Sequence, residues 1–380
     1  MTNDKIWLSS PHMGGTELSY VNEAFATNWV APLGPNVTGF EQAIESYLGD
    51  DVHVAALSSG TAALHLGLIL LGVQAGDEVL CQSMTFSASA NPIVYLGATP
   101  IFIDSEMTTW NLCPIALEEA IIDRLAKGKK PKAIIAVHLY GMPYNVEAIS
   151  AVAQKYAIPI LEDSAEALGS TYKGKSCGTF GNLGVLSFNG NKIITTSGGG
   201  ALVTPTEDLK NKAVFLATQA RDAATHYQHS EIGYNYRLSN ICAGIGRGQM
   251  EVLADHVANR RNMNSFYKEL LQPYDFVTFL TEPTTAYYSN YWLTTIRIHP
   301  ELAPKGTSAE GLRLALEKEN IESRPLWKPM HLQPVFSDCP YYGKDVAEHL
   351  FATGLCLPSG SNLNDSDRQR IATSIRSYFE

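Results

Sequence analysis

The sequence is short of charge. Only 17% of its 380 residues are Asp, Glu, Lys or Arg, and basic ones are scarcer than acidic ones: 28 against 38, a net charge of −10 at pH 7. That balance excludes the sequence-independent phosphate binding on which nucleic-acid proteins rely. It leaves room for a local basic pocket that takes a phosphorylated metabolite. Cysteine is sparse and scattered, with six positions (81, 113, 177, 242, 339 and 356), no CxxC pair and no Cys/His cluster. The usual zinc frameworks are thereby excluded, and free thiols in a reducing cytosol are expected. Long apolar runs are missing too. The stretch from Leu64 to Val73 carries His65 and is too short to span a bilayer. The opening MTNDKIWLSSPHMGG lacks the apolar core of a secretion signal. A cytoplasmic protein with no membrane partner is expected. No GxGxxG follows the first strand-like run, which weighs against a nicotinamide dehydrogenase.

What is present is a 45% apolar chain, long enough for two or three structural units. Between residues 52 and 205, short apolar runs alternate with helical patterns. VHVAAL, EVLCQS, PIFID, KAIIAVHLYG, IPILED and GVLSF read as strands. Helical patterns cover Thr61 to Leu71, Ser87 to Leu96, Pro114 to Lys127 and Val146 to Tyr156. This rhythm predicts an α/β unit with a mostly parallel sheet, covered by helices on both faces. Ligands of such sheets bind beyond the carboxyl ends of the strands. Those ends carry Ser58-Ser59-Gly60, Thr85-Phe86 and Glu162-Asp163.

Helices dominate from Glu207 to Ala217 and from Ser239 to about Tyr267. The second region contains ICAGIGRGQM. Helical glycines cost about 1 kcal/mol each against alanine, so close helix packing, a subunit interface included, is their expected use. After Pro273 come the aromatic run AYYSNYWLTTIRI, a helix from Ser308 to Glu319, the loop RPLWKPMHLQP and a helix from Asp365 to Phe379. A smaller α+β unit is expected there. The division predicted is an arm over residues 1–20, a large domain over 21–255 and a small domain over 256–380.

One amine stands out. Lys192, in SFNGNKIITTSGGG, is the sole charged residue from Phe180 to Pro205. Without an acidic neighbour in sequence it has no evident ion-pair role. A lysine becomes a nucleophile when burial or a nearby cation lowers its proton affinity. Pyridoxal phosphate needs such a lysine, an acid beside its ring nitrogen, donors for its phosphate and an aromatic face. Asp163, Ser59-Gly60-Thr61 and Phe86 supply these types at strand ends. Taken singly, Asp163, Ser59 and Thr61 are better explained as helix caps, and Phe86 as core. Their joint occurrence is not.

The segments SSGTAALHLGL, GDEVLCQSMTFSASANPIVYLGATPIFID, VHLYG, ILEDSAEALGSTYKGK, SFNGNK, GGG and GYNYRLSN, in this order, resemble the DegT/DnrJ/EryC1/StrS family of pyridoxal-phosphate sugar aminotransferases. The resemblance covers essentially the whole chain. It implies fold type I, like aspartate aminotransferase: a large domain with a mostly parallel, seven-stranded-type sheet, a smaller C-terminal α+β domain, and a homodimer sharing its active sites. It makes Lys192 the covalent lysine and proton carrier, and Asp163 the partner of the ring nitrogen. Phe86 would stack on the ring. Ser59, Gly60, Thr61 and Ser187 would hold the phosphate, with Asn235 reaching in from the second subunit. Arg237 is a candidate for a substrate anion. Family members often have glutamine where this chain has Glu166, and a carboxylate there would repel the cofactor's phenolic oxygen unless protonated.

LSSPHMGGTELSYVNEAFATNWVAPLGPNV and SRPLWKPMHLQPVF resemble the subgroup that makes UDP-4-amino-4,6-dideoxy-N-acetylglucosamine, on the N-acetylbacillosamine route to glycans and glycosylated proteins. The resemblance implies transfer from L-glutamate to C4 of a UDP-linked 4-keto-6-deoxy-N-acetylhexosamine. Trp327, Lys328 and His331 would face the base and diphosphate, and Asn28 and Trp29 would border the sugar. Hinge and interface packing explain any one of these equally well. The alternatives are amination at C3, a dTDP- or GDP-linked acceptor, and a regulatory relative without turnover.

Overall fold

The computed structural model describes residues 4–49 and 51–380. The apolar runs become one sheet because each is buried on both faces. In chain order its strands are β1 (His53–Leu57), β2 (Glu78–Gln82), β3 (Thr99–Ile103), β4 (Ala133–Val137), β5 (Ile160–Asp163), β6 (Leu183–Ser187) and β7 (Gly200–Thr204). Every residue of β2, β4 and β7 is buried, as continuous apolar runs require. The lateral order is β1-β7-β6-β5-β4-β2-β3. All neighbours run parallel except β7, which is antiparallel to both β1 and β6. The mostly parallel α/β sheet is as expected. Its eighth strand is not: Tyr341–Tyr342, from far along the chain, pairs parallel with β3. Such a two-residue strand carries no periodic signal.

Helices α1 (Glu17–Ala26) and α2 (Pro35–Leu48) precede the sheet, and α3 (Gly60–Leu70) follows β1. The helix expected over Ser87 to Leu96 divides into a single 3-10 turn, Ser87–Ser89, and a short α4 (Asn91–Tyr95). Pro92 lacks the amide that would continue the first turn, but suits the start of a new helix. Next come α5 (Pro114–Ala126), α6 (Val146–Tyr156), α7 (Glu207–Ala217), α8 (Asn240–Glu251) and α9 (Leu253–Leu271). The glycines of α8 serve packing inside the chain, so no subunit interface is needed to explain them. A Cβ on Gly246 would lie 2.7 Å from Phe40 of α2, and one on Gly248 would lie 2.8 Å from Glu17 of α1.

Beyond α9, strands β8 (Val277–Phe279), β9 (Thr294–Ile298), β10 (Arg324–Pro325) and β11 (Gly354–Leu357) form an antiparallel sheet in the order β8-β9-β11-β10. Helices α10 (Ala309–Lys318), α11 (Val346–Thr353) and α12 (Asp365–Phe379) complete this part. The aromatic run expected as strand material is split. Tyr287–Tyr288 pairs with Thr171–Tyr172, while β9 joins the other sheet. The residues between them, Ser289 to Leu293, are buried, with Trp292 at 1% exposure. Residues 1–3 of the expected arm lie outside the described residues. The expected boundary at 255/256 falls within α9, which runs through it unbroken.

Candidate active site

Strands β1, β2, β5 and β6 all end at one rim, and their following residues line a cavity of about 190 Å³. Lys192 enters it from the connection between β6 and β7. The backbone turn at Asn189 to Lys192 closes with a 3.0 Å bond from the Lys192 amide to the Asn189 carbonyl. The Lys192 amine lies 3.5 Å from Glu166 Oε1 and 4.3 Å from the centre of the Trp292 ring. An acidic partner absent from the local sequence is therefore supplied by the fold, 26 positions away. The sequence-based view of Lys192 as unpaired is corrected accordingly.

Glu166 is buried, and its Oε2 accepts the Tyr140 amide at 2.7 Å. Burial raises its proton affinity above the ordinary carboxylate range, against the opposing pull of Lys192 and that amide. Asp163 closes β5. Its Oδ2 accepts the Ser89 hydroxyl at 2.7 Å and its Oδ1 accepts the Ala165 amide at 3.1 Å. Thr85 meets the same serine hydroxyl at 2.7 Å. The carboxylate is thereby oriented from two sides.

Ser59 caps α3, its hydroxyl accepting the Ala62 amide at 3.0 Å. The Gly60 and Thr61 amides remain without intrahelical acceptors, at the positive end of the helix. This turn is pressed between two strands. A Cβ on Gly60 would come within 2.9 Å of Ser187 Cβ, and one on Gly200 within 2.3 Å of the Ser59 carbonyl carbon. Of the three consecutive glycines, Gly200 therefore serves close approach rather than unusual backbone angles.

An aromatic wall closes the other side. Tyr140 is stacked against Trp292 and Trp327, with centroids 6.5 and 6.3 Å apart. Phe86, half exposed, meets Trp327 at 5.4 Å. The Tyr140 hydroxyl accepts the Trp327 amide at 2.8 Å. Amine, oriented carboxylate, anion-ready helix end and aromatic faces thus border a single cavity.

The profile of the DegT/DnrJ/EryC1/StrS aminotransferase family matches residues 11–376. This chain belongs to that family. The Bacillus subtilis protein EpsN, provisionally named a pyridoxal phosphate-dependent aminotransferase, is 51% identical over 379 residues, covering 99% of this chain and 96% of its own. A GDP-perosamine synthase of Escherichia coli O157:H7 is 37% identical over 372 residues, 97% of each chain. A crystal structure of a family member from Brucella abortus superimposes with a TM-score of 0.88 at 29% identity, covering 96% of this chain and 95% of that one. The fold is that of these aminotransferases, and the chain is a pyridoxal-phosphate-dependent aminotransferase. The residues present suit that cofactor: an amine for its aldehyde, a carboxylate for its ring nitrogen and a helix N-terminus for its phosphate.

Of the residues picked out in the sequence, the cavity gathers Ser59, Gly60, Thr61, Phe86 and Asp163, and with them Glu166, Ser187, Lys192 and Trp327. Others stand elsewhere. Arg237 is committed within the chain, donating to Glu41 Oε1 at 2.5 Å and to the Ala56 carbonyl at 2.9 Å. Its Nη1 is thereby held inside the chain. His331 is likewise engaged: Nδ1 meets Ser83 Oγ at 2.6 Å, Nε2 meets Glu348 at 3.2 Å, and its face stacks on Tyr341. Neither nitrogen is left for a diphosphate. Asn28, Trp29, Asn235 and Lys328 are exposed and outside the cavity lining.

Tyr140, Ser89 and Trp292 were not singled out from the sequence. Tyr140 sits in VHLYG with a left-handed φ of 55°, which no pattern announces. Ser89 ends the turn that Phe86 begins, a spacing that carries its hydroxyl to Asp163.

Proposed function

We propose that this chain aminates C4 of a UDP-linked 4-keto-6-deoxy-N-acetylhexosamine, with L-glutamate as donor. The supporting observation is the meeting of Lys192, Asp163 and the α3 N-terminus in one cavity. Bound pyridoxal phosphate supplies an electron-withdrawing ring that stabilises the charge left when a proton departs beside the transferred nitrogen. Lys192 would hold the cofactor through Nζ, and that amine, when free, would carry the proton. Asp163, aligned by Ser89 and the Ala165 amide, accepts the ring nitrogen's hydrogen bond and keeps that nitrogen protonated. Ser59, Gly60, Thr61 and Ser187 hold the phosphate, and Phe86 covers the ring. Burial raises the proton affinity of Glu166, and Lys192 beside it opposes that shift, so the carboxyl's charge is shared with the amine rather than facing the cofactor alone.

Trp327, in the cavity wall, and Lys328, exposed and next to it in sequence, are one aromatic and one cationic, and suit a base and a diphosphate. Asn28, Trp29 and Asn235 are offered to a second copy of the chain. Phe25 (62% exposed), Leu33 (56%) and Tyr95 (58%) leave apolar surface for such a copy to cover. The GDP-perosamine synthase relative favours a second reading, a GDP-linked acceptor.

The test is spectroscopic first. The purified protein, loaded with pyridoxal phosphate, is titrated with glutamate, and the visible band is expected to vanish. UDP-4-keto, GDP-4-keto and UDP-3-keto sugars are then offered, and the product is placed by NMR. Turnover of the GDP sugar alone replaces the UDP reading. A band that no amino donor shifts removes catalysis and leaves the regulatory relative.

A further inference from the structure

The loop that carries Lys192 has its backbone held, residue by residue, by side chains from distant segments. The Asn191 carbonyl accepts both the Ser9 hydroxyl and the Trp292 indole N–H, each at 2.7 Å. The Lys192 carbonyl faces Arg260 Nη2 at 3.4 Å. The Ile193 carbonyl meets His256 Nδ1 at 3.2 Å, and the Thr195 amide donates to Gln249 Oε1 at 3.1 Å. The β6–β7 ladder anchors both ends of the loop, so these bonds fix its middle, where Lys192 sits.

Arg260 joins these supports to one another. Besides the Lys192 carbonyl, it donates to the Trp292 carbonyl at 2.6 Å and to Ser9 Oγ at 2.9 Å. Arg260, Ser9, Asn191 and Trp292 therefore form a closed ring of hydrogen bonds. The guanidinium is 1% exposed, and among the described residues no carboxylate pairs with it. A buried cation without a counter-ion is costly to keep. The guanidinium reaches these three oxygens through two nitrogens held in a rigid plane, Nη1 and Nη2, a geometry that a single ammonium nitrogen does not reproduce. One member of the ring, Trp292, also lies against the Lys192 amine, which is 4.3 Å from the centre of its indole.

We propose that Arg260 is a positioning residue for Lys192: by tying Ser9 and Trp292 to the carbonyls of Asn191 and Lys192, it sets the direction in which the amine meets the cofactor's aldehyde. This rests on the reading of Lys192 as the covalent lysine. Arg260 touches no reacting atom and acts through the loop.

The experiment measures attachment, not turnover. Cofactor-free protein is mixed with pyridoxal phosphate and quenched at intervals with borohydride, which reduces the carbon–nitrogen double bond and leaves the cofactor fixed to lysine. Peptide mass mapping locates and counts the adduct. Equilibrium dialysis gives total cofactor binding, and thermal melting reports the fold. Misplacing a reacting group by about 1 Å costs on the order of a hundredfold in rate. Arg260→Met is expected to slow attachment on that scale while dialysis changes little. Arg260→Lys, which keeps the charge but loses the fork, is expected to be slow as well. Ser9→Ala removes one member of the ring at a half-buried position and keeps the test alive if Arg260→Met does not fold. It is expected to slow attachment to a smaller degree. Wild-type protein without an adduct at Lys192 overturns the reading of that lysine itself. Wild-type protein tagged at Lys192, with folded variants tagged equally fast and only their melting lowered, overturns the positioning role and leaves Arg260 a core strut.

Discussion

Lys192 and Glu166 are the two residues on which the chemistry turns, and each gives a separable prediction. Lys192→Ala is expected to abolish turnover and the borohydride adduct while the protein still folds, with a lowered melting temperature because buried Glu166 loses its cation. Normal turnover in that variant would sink the mechanism. Glu166 yields a pH dependence. Its proton affinity is raised in the folded state, so the native protein holds that proton more tightly than the unfolded chain does. The contribution to stability is whole below the ordinary value of 4.5 and is lost as pH rises through the folded value. Cofactor-free Glu166→Gln is therefore expected to lose less melting temperature than wild type as pH rises through the window above 4.5. Parallel curves for the two proteins would show that Glu166 does not titrate in that window.

The same scale shows what the sequence could disclose. Lys192 was conspicuous because its neighbours carry no charge, and Asp163 because it ends an apolar run. Arg237 and His331 show the opposite case. A charged side chain that looks free along the chain can be spoken for across it: Glu41 lies 196 positions from Arg237. Trp292 was hidden in a buried stretch without alternation, where period-based reasoning has nothing to grip.

At the scale of elements, the turn between β1 and α3 is the most demanding piece. Strand β7 passes so close beneath Ser59 that only glycine fits at position 200. Gly200→Ala is expected to displace the turn and weaken cofactor binding, since overpacking of this kind costs about 1–3 kcal/mol. Equilibrium dialysis against pyridoxal phosphate measures it, and unchanged affinity would show that the turn has room to yield. Strand and helix order in the parallel sheet was legible because buried strands and amphipathic helices leave different periods. The antiparallel placement of β7 and the two-residue strand Tyr341–Tyr342 were not, because pairing partners leave no mark on a single strand.

For the whole molecule, the expectation is a dimer with shared sites. Sedimentation should give twice the mass of one chain. A stronger check is complementation between Lys192→Ala and Asn235→Ala. Each alone should be impaired, and the mixed dimer should regain one intact site, holding Lys192 from one chain and Asn235 from the other. Mixtures no more active than the sum of their parts would show that Asn235 does not cross between subunits.

The ring around the lysine loop also bears on how the protein is made. Trp292 is synthesised 101 positions after the carbonyl it holds, and Arg260 68 positions after its own contact with Lys192. On the ribosome the β6–β7 hairpin can emerge complete, and its lysine with it, long before either support exists. The chain therefore passes through a stage in which the amine is present but untethered, and it becomes ready for its cofactor only once three-quarters of the chain has been made.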